Sequence, residues 1–349
     1  MKSGKTLTEL AQELERQSST KKDFIASTEV LEMTDTGEIT LQGDTSQEFS
    51  LTEHAHTQIA ARLDIPAKYY SRMREKAPEL LAANVNGWFQ QKPERRMVRT
   101  LDGQMRAFLS DRYRRLDNYD LASAVLPVLK EMGEGLKIVS TQLTESRMYI
   151  KVINDRLELE VKKGDVVQAG MVISNSEVGL GSLKVEPLIY RLICTNGMIA
   201  QDHSQKRYHV GRNAEEGEAY ELFRDETIKA DDRAFFLKVQ DTVRAAVDIT
   251  KFSTIVDRMR ESTERKIEGN PVKSVELLTK SFGYSNEESS GVLQHLIQGG
   301  DLSAYGMLNA ITRTSQDLED YERATALERD GSRVLSLPAS SWKEIALAK

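Results

Sequence analysis

Between Lys92 and Tyr119 the chain carries eight Lys and Arg against four Asp and Glu, in a protein whose formal net charge is −6. Lys92, Arg95, Arg96, Arg99, Arg106, Arg112, Arg114 and Arg115 are interleaved with Met97, Phe108, Tyr113 and Tyr119. Guanidinium groups neutralise phosphates and aromatic rings stack on bases, so this mixture suits a single-stranded nucleic-acid surface. The expected phosphate contacts are Arg95, Arg96, Arg99, Arg112, Arg114 and Arg115, with Tyr113 and either Phe108 or Tyr119 as base-stacking rings. On a strand, Arg95, Met97 and Arg99 share one face while Arg96 and Val98 take the other, so only a subset can reach one ligand. The competing reading makes Phe108 a core residue and pairs Arg112 with Asp111 or Asp117.

A second constellation lies between Asn175 and Met198. Gly179 and Gly181 flank Leu180 and permit a tight turn or a close backbone approach. Asn175 and Ser182 offer hydrogen bonds to an anion or a base, and Arg191, Cys194, Thr195, Asn196 and Gly197 end a strand in a Thr-Asn-Gly turn. Asn175, Gly179, Gly181, Ser182, Arg191 and Asn196 therefore form a secondary candidate patch. The glycines lack the Lys-Ser/Thr ending of a phosphate-binding loop and the strand-to-helix setting of a dinucleotide fingerprint.

Catalytic chemistry finds less support. Cys194, the one cysteine, could act as a nucleophile with His203 or His209 as base. Its Leu-Ile-Cys context is that of an inert core thiol. His54 and His56 stand two apart and point to different sides of a helix, and no metal-ligand spacing occurs. A metal-dependent nuclease would have to use Asp111, Asp117 or His203. The reading is a non-enzymatic protein with no cofactor and no bound metal.

These residues must be held by an α+β scaffold. Leu7, Leu10, Ala11 and Leu14 predict an amphipathic helix over 7–16, and alternation around Ile39 and Leu41 predicts an early hairpin. From Ser50 to Trp88 the period is helical, with a break at Pro66 that resembles a helix-turn-helix pair; a packing hairpin of helices gives the same pattern. Strands are predicted over 95–99, 105–109, 136–142, 147–153, 166–174, 183–194 and 208–210, with a crossover helix over 120–132. The acidic stretch 215–232 predicts a linker, and the chain beyond it is helical, punctuated by Asn270-Pro271, Gly283, Gly299 and Gly331. The expected divisions are an N-terminal helix (1–20), an α+β core (21–214), the linker (215–232) and a helical domain (233–349).

At 349 residues, two domains are expected. One cysteine excludes a disulfide framework, and the absence of a long apolar run predicts a cytoplasmic, unanchored protein.

The runs IAARLDIPAKYY (59–70), FLSDRYRRLDN (108–118), NSEVGLGSL (175–183), RLICTNGM (191–198) and YGMLNAITRTSQDLEDYERATALERDG (305–331) together resemble the phage- and plasmid-borne family known as domain of unknown function 932. The resemblance implies a mobile-element origin and an α+β front with a helical back; it brings no catalytic residues. It depends little on Tyr305, where a tryptophan is often expected. The strand-rich core with its Arg and aromatic segment is also loosely similar to single-strand annealing proteins that form oligomeric rings. The expected function is binding of single-stranded DNA or RNA, as an annealing or recombination accessory and a homo-oligomer. The alternative is a protein that modulates a host factor.

Overall fold

The computed structural model describes residues 1–43, 46–113, 115–181, 183–200 and 225–349. Helix α1 (Leu7–Thr20) opens with a capping box in which Thr6 and Glu9 satisfy each other's backbone N–H groups. A first sheet follows, built from β1 (Lys22–Ser27), β2 (Leu31–Met33), β3 (Ile39–Leu41), β4 (Gln47–Leu51), β5 (Arg95–Leu101) and β6 (Gln104–Ser110) in the order β1-β5-β6-β4-β3-β2. Its pairings are antiparallel except β4 with β6.

Between β4 and β5 lie α2 (Glu53–Arg62), α3 (Ala67–Lys76) and α4 (Pro78–Gln91). The predicted second helix is thus divided in two. Pro78 disfavours helical geometry at the residue before it, and Ala77 sits at φ −157°. Ile59, Tyr70, Met73, Leu81, Val85 and Phe89 pack on Phe49, Val98 and Phe108, which fixes these helices on one face of the sheet.

Helix α5 (Asn118–Glu131) leads into a second sheet, an antiparallel meander of β7 (Leu136–Leu143), β8 (Met148–Lys162), β9 (Asp165–Asn175), β10 (Lys184–Arg191) and β11 (Asn196–Ile199). The strand expected over 183–194 stops at Arg191 because the chain turns at Leu192–Thr195, with Thr195 at φ 50°, and returns as β11. The strand expected at 208–210 lies outside the described residues.

The C-terminal helices are α6 (Asp225–Ala246), α7 (Ile249–Glu264), α8 (Pro271–Phe282), α9 (Asn286–Gly299), α10 (Ala304–Thr314), α11 (Tyr321–Leu335) and α12 (Ala339–Ala346). Of the acidic stretch, 215–224 lies outside the described residues and 225–232 forms the start of α6. Asn270 and Pro271 open α8 and Gly283 closes it as predicted. Gly331 does not end a helix but lies within α11, where an added Cβ would come within 2.5 Å of Thr312 Cγ2. Here the glycine permits α11 to approach α10.

Both faces of the second sheet are covered. Met171 and Ile173 of β9 pack with α5 and α6, through Leu121, Val125, Val239 and Val243. Val172, pointing the other way, packs with Tyr321 of α11. Val167, Ala169 and Ile189 share a core with Phe252, Val256, Leu308 and Ile311, so the helical region and this sheet bury one another. The fold is α+β. Among the described residues no helix is long and apolar enough to cross a membrane.

Candidate nucleic-acid surface

The β5–β6 ladder pairs Arg96 with Ser110 and Arg99 with Ala107, so the basic segment is split between two faces and two ends. Arg99 is fully buried. Its Nε and Nη2 donate to the Asp23 carboxylate at 2.9 and 3.0 Å, Nη2 to Asp117 Oδ1 at 2.6 Å, and Nη1 to the Glu177 carbonyl at 2.9 Å. Burial opposes the charge on Arg99, but Asp23 and Asp117 outweigh it and hold its pKa above the ordinary value. Burial alone would raise Asp117; Arg99 and Lys21, whose Nζ is 2.5 Å away, hold that carboxyl below its usual range. Arg106 is also buried and donates to Glu177 Oε2 at 2.6 Å. These two arginines are spent on joining the two sheets.

Arg96 lies with its guanidinium carbon 4.8 Å from the centre of the Phe108 ring, and burial lowers its pKa. Phe108 itself stacks on Phe89 and is only 2 % exposed, so no base can stack on it. The competing core reading therefore describes Phe108. Tyr113 is half-buried and donates its hydroxyl to the Ser176 carbonyl at 3.0 Å. Tyr119 is exposed. Arg95, Arg112 and Arg115 are exposed, with Arg115 Nη1 3.7 Å from Asp23. Arg114 lies outside the described residues. Arg95 begins β5 and Arg112 follows β6, so these two share one end of the hairpin.

A cationic surface outside the Lys92–Tyr119 segment lies on α3. Tyr70 and Met73 face the core, which turns Lys68, Arg72 and Lys76, spaced four apart, to the opposite side. All three are exposed and, among the described residues, none is ion-paired to a carboxylate; Arg74, by contrast, pairs with Glu53 at 2.8 Å. They line a shallow hollow of about 420 Å³ with Ala67, Ser71 and Glu75. Tyr69, three residues before Arg72, is 45 % exposed beside them. The four-residue spacing was legible in the sequence; the absence of acidic partners among the described residues was not.

Residues 107–333 match the family model described as a domain of unknown function, DUF932. The chain belongs to this family. No curated protein and no solved structure matches it. The DUF932 span runs from within β6 to within α11, so it covers the second sheet with its helices and leaves α3 outside.

Within the DUF932 span the secondary patch divides. Asn175 and Arg191 stand at opposite ends of the β9–β10 ladder, where Lys184 pairs with Ser174 and Arg191 with Val167. Seven residue steps separate those ends, roughly 23 Å at strand rise. At one end Asn175 donates to the Leu116 carbonyl and to Asn118 Oδ1, and Glu177 accepts from the Asn118 N–H at 2.5 Å, closing the start of α5. Gly179, at φ +83°, lies against Leu109, and Gly181 lies beside Arg147. Ser182 lies outside the described residues. At the other end Arg191 grips Asp165 with Nε and Nη2 at 2.6 and 2.7 Å, and Tyr305 donates to the same carboxylate at 2.9 Å. Asn196 donates to Thr312 Oγ1 at 2.5 Å.

Cys194 is half-buried, 3.3 Å from Arg191 Nη1, rather than enclosed in a core. Its proposed base partners His203 and His209 lie outside the described residues. His54 bonds the Val178 carbonyl and His56 the Tyr70 hydroxyl, each in a separate local contact. Among the described residues no three His, Cys, Asp or Glu are grouped to hold a metal ion. Asp117, considered above for nuclease chemistry, is engaged by Arg99 and Lys21.

Proposed function

We propose that this DUF932 protein binds single-stranded nucleic acid without catalysing a reaction, with α3 as its principal contact. The observation that carries the reading is the row Lys68, Arg72 and Lys76, exposed and, among the described residues, free of acidic partners, with Tyr69 beside it. A phosphate backbone supplies the charge such a row lacks, and an exposed ring takes a base. Arg95 and Arg112, at one end of the β5–β6 hairpin, extend the cationic surface; Arg99 and Arg106 serve only to fix the sheet that carries it. An annealing or recombination role in the cytoplasm, for a phage or plasmid and as a homo-oligomer, is the setting we propose for this activity.

The test is a salt titration of binding to a labelled oligonucleotide. On a single strand the slope of log K against log salt flattens by about 0.7 for every phosphate that is no longer neutralised. The triple variant Lys68→Glu, Arg72→Glu, Lys76→Glu should therefore flatten it by roughly 2. Affinity and slope equal to those of the unaltered protein would remove α3 from the assignment.

A further inference from the structure

The turn between β10 and β11 meets α9 and α10 around a cavity of about 320 Å³, on the second sheet and apart from α3. Three cationic side chains line it, Lys162, Arg191 and Arg313, together with Cys194 and His295. Their compensation is unequal. Lys162 pairs with Asp301 at 2.8 Å, and Arg191 uses Nε and Nη2 on Asp165. The remaining Arg191 nitrogen, Nη1, bonds among the described residues only to the Cys194 sulfur, a weak acceptor. Arg313 donates to the neutral amide of Gln316, and among the described residues it has no carboxylate partner. Gln316 in turn donates to the Cys194 carbonyl at 3.2 Å, so Cys194 touches Arg191 directly and is linked to Arg313 through Gln316.

We propose that this cleft binds a small organic phosphate, with Arg313 and Arg191 Nη1 taking the phosphate group. Donors in a fork match phosphate oxygens, and an anion supplies the charge that Arg313 lacks. The rest of the lining is mixed: Gln298, Asn309 and Asp301, the last paired with Lys162, are polar, while Leu296, Ala310 and Ile193 make an apolar wall, Ile193 being 59 % exposed and the most open large apolar side chain described. That wall suits a flat or apolar body attached to the phosphate. The volume lies at the small end of ligand pockets, which favours a ligand of mononucleotide size over a larger cofactor.

Cys194 gives a direct readout because it is the only thiol in the chain. Its alkylation rate would be measured on the full-length protein with inorganic phosphate, each of the common nucleoside monophosphates, or the matching nucleosides. At a concentration about ten times Kd, a bound monophosphate should slow labelling roughly tenfold by occupancy, while the nucleoside leaves it unchanged. Arg313→Glu should abolish this protection and Arg313→Lys should retain part of it, with oligonucleotide binding unaltered in both. Absence of protection by every monophosphate, protection by inorganic phosphate alone, or equal protection by nucleosides would overturn the proposal. Because the α3 triple variant leaves this cleft intact, failure of either assignment is visible separately.

Discussion

Arg99 Nη2 lies 2.6 Å from Asp117 Oδ1, joining a strand of the first sheet to the residue that precedes α5. Asp117 occupies the N-cap position, yet its side chain makes no bond to the helix N–H groups. It is held instead by Arg99 and Lys21, and Glu177 supplies the bond to the helix start. The guanidinium is buried, so removing it would leave Asp23 and Asp117 enclosed and partly uncompensated.

Arg99→Ala should therefore destabilise the protein by about 3–5 kcal/mol, whereas exposed Arg115→Ala should change stability by about 0.5 kcal/mol or less. Denaturant unfolding of the two variants measures the difference. Equal, small effects would show that the buried network does not join the sheets.

Tyr69→Ala on α3 should weaken binding to a single strand by about 1–3 kcal/mol, roughly 5- to 150-fold, and leave the salt slope unchanged. Phe108→Leu should leave binding intact, since that ring is enclosed against Phe89. Fluorescence anisotropy at several salt concentrations checks both. A Tyr69 variant with full affinity would exclude stacking there.

Burial, with Arg74 nearby, lowers the pKa of His56 from an ordinary 6.5 to about 4. The folded state thus binds fewer protons than the unfolded one between those values. The resulting stability is complete above about pH 6.5 and is lost as pH falls toward about 4, with a magnitude on the order of 3 kcal/mol. His56→Gln should lack this part of the acid dependence. Chemical unfolding at successive pH values compares the two proteins, and parallel curves would mean that His56 does not titrate differently on folding.

Lys151 and Glu328 form a fully buried ion pair at 2.6 Å, with the Lys151 ammonium 4.6 Å from the centre of the Tyr321 ring. Burial lowers the pKa of Lys151 and Glu328 counteracts it. Glu328→Gln should cost about 3–5 kcal/mol by leaving the ammonium without its partner charge, and Lys151→Met combined with Glu328→Leu should recover much of the loss. A double variant no more stable than the single one would show that the pair contributes more than mutual neutralisation. Thermal or denaturant melts decide it.

Much of the scaffold could be read from local pattern. The strand expected over 147–153, the helical character beyond the acidic stretch, and the cap at Asn270-Pro271 each appear as expected, because period and capping act over a few residues. The division at Ala77-Pro78 and the interior position of Gly331 were missed. The first needed the geometry before a proline, and the second needed knowledge of which helix lies alongside.

The candidate site was legible only in part. Composition located an excess of arginine between Lys92 and Tyr119 but could not distinguish Arg99, turned inward, from Arg95 on the same alternating face. Nor could it say that Arg191 and Arg313 line one cavity.

The sequence by itself determined the α+β class, the positions of most strands and helices, and the family, since all of these follow from patterns along the chain. Only the tertiary structure decided which cations face carboxylates and which face solvent. A charge acquires its role from partners brought close in space: Asp23 meets Arg99 through the pairing of β1 with β5, and Glu177 reaches Arg99 and Arg106 only once the two sheets have met.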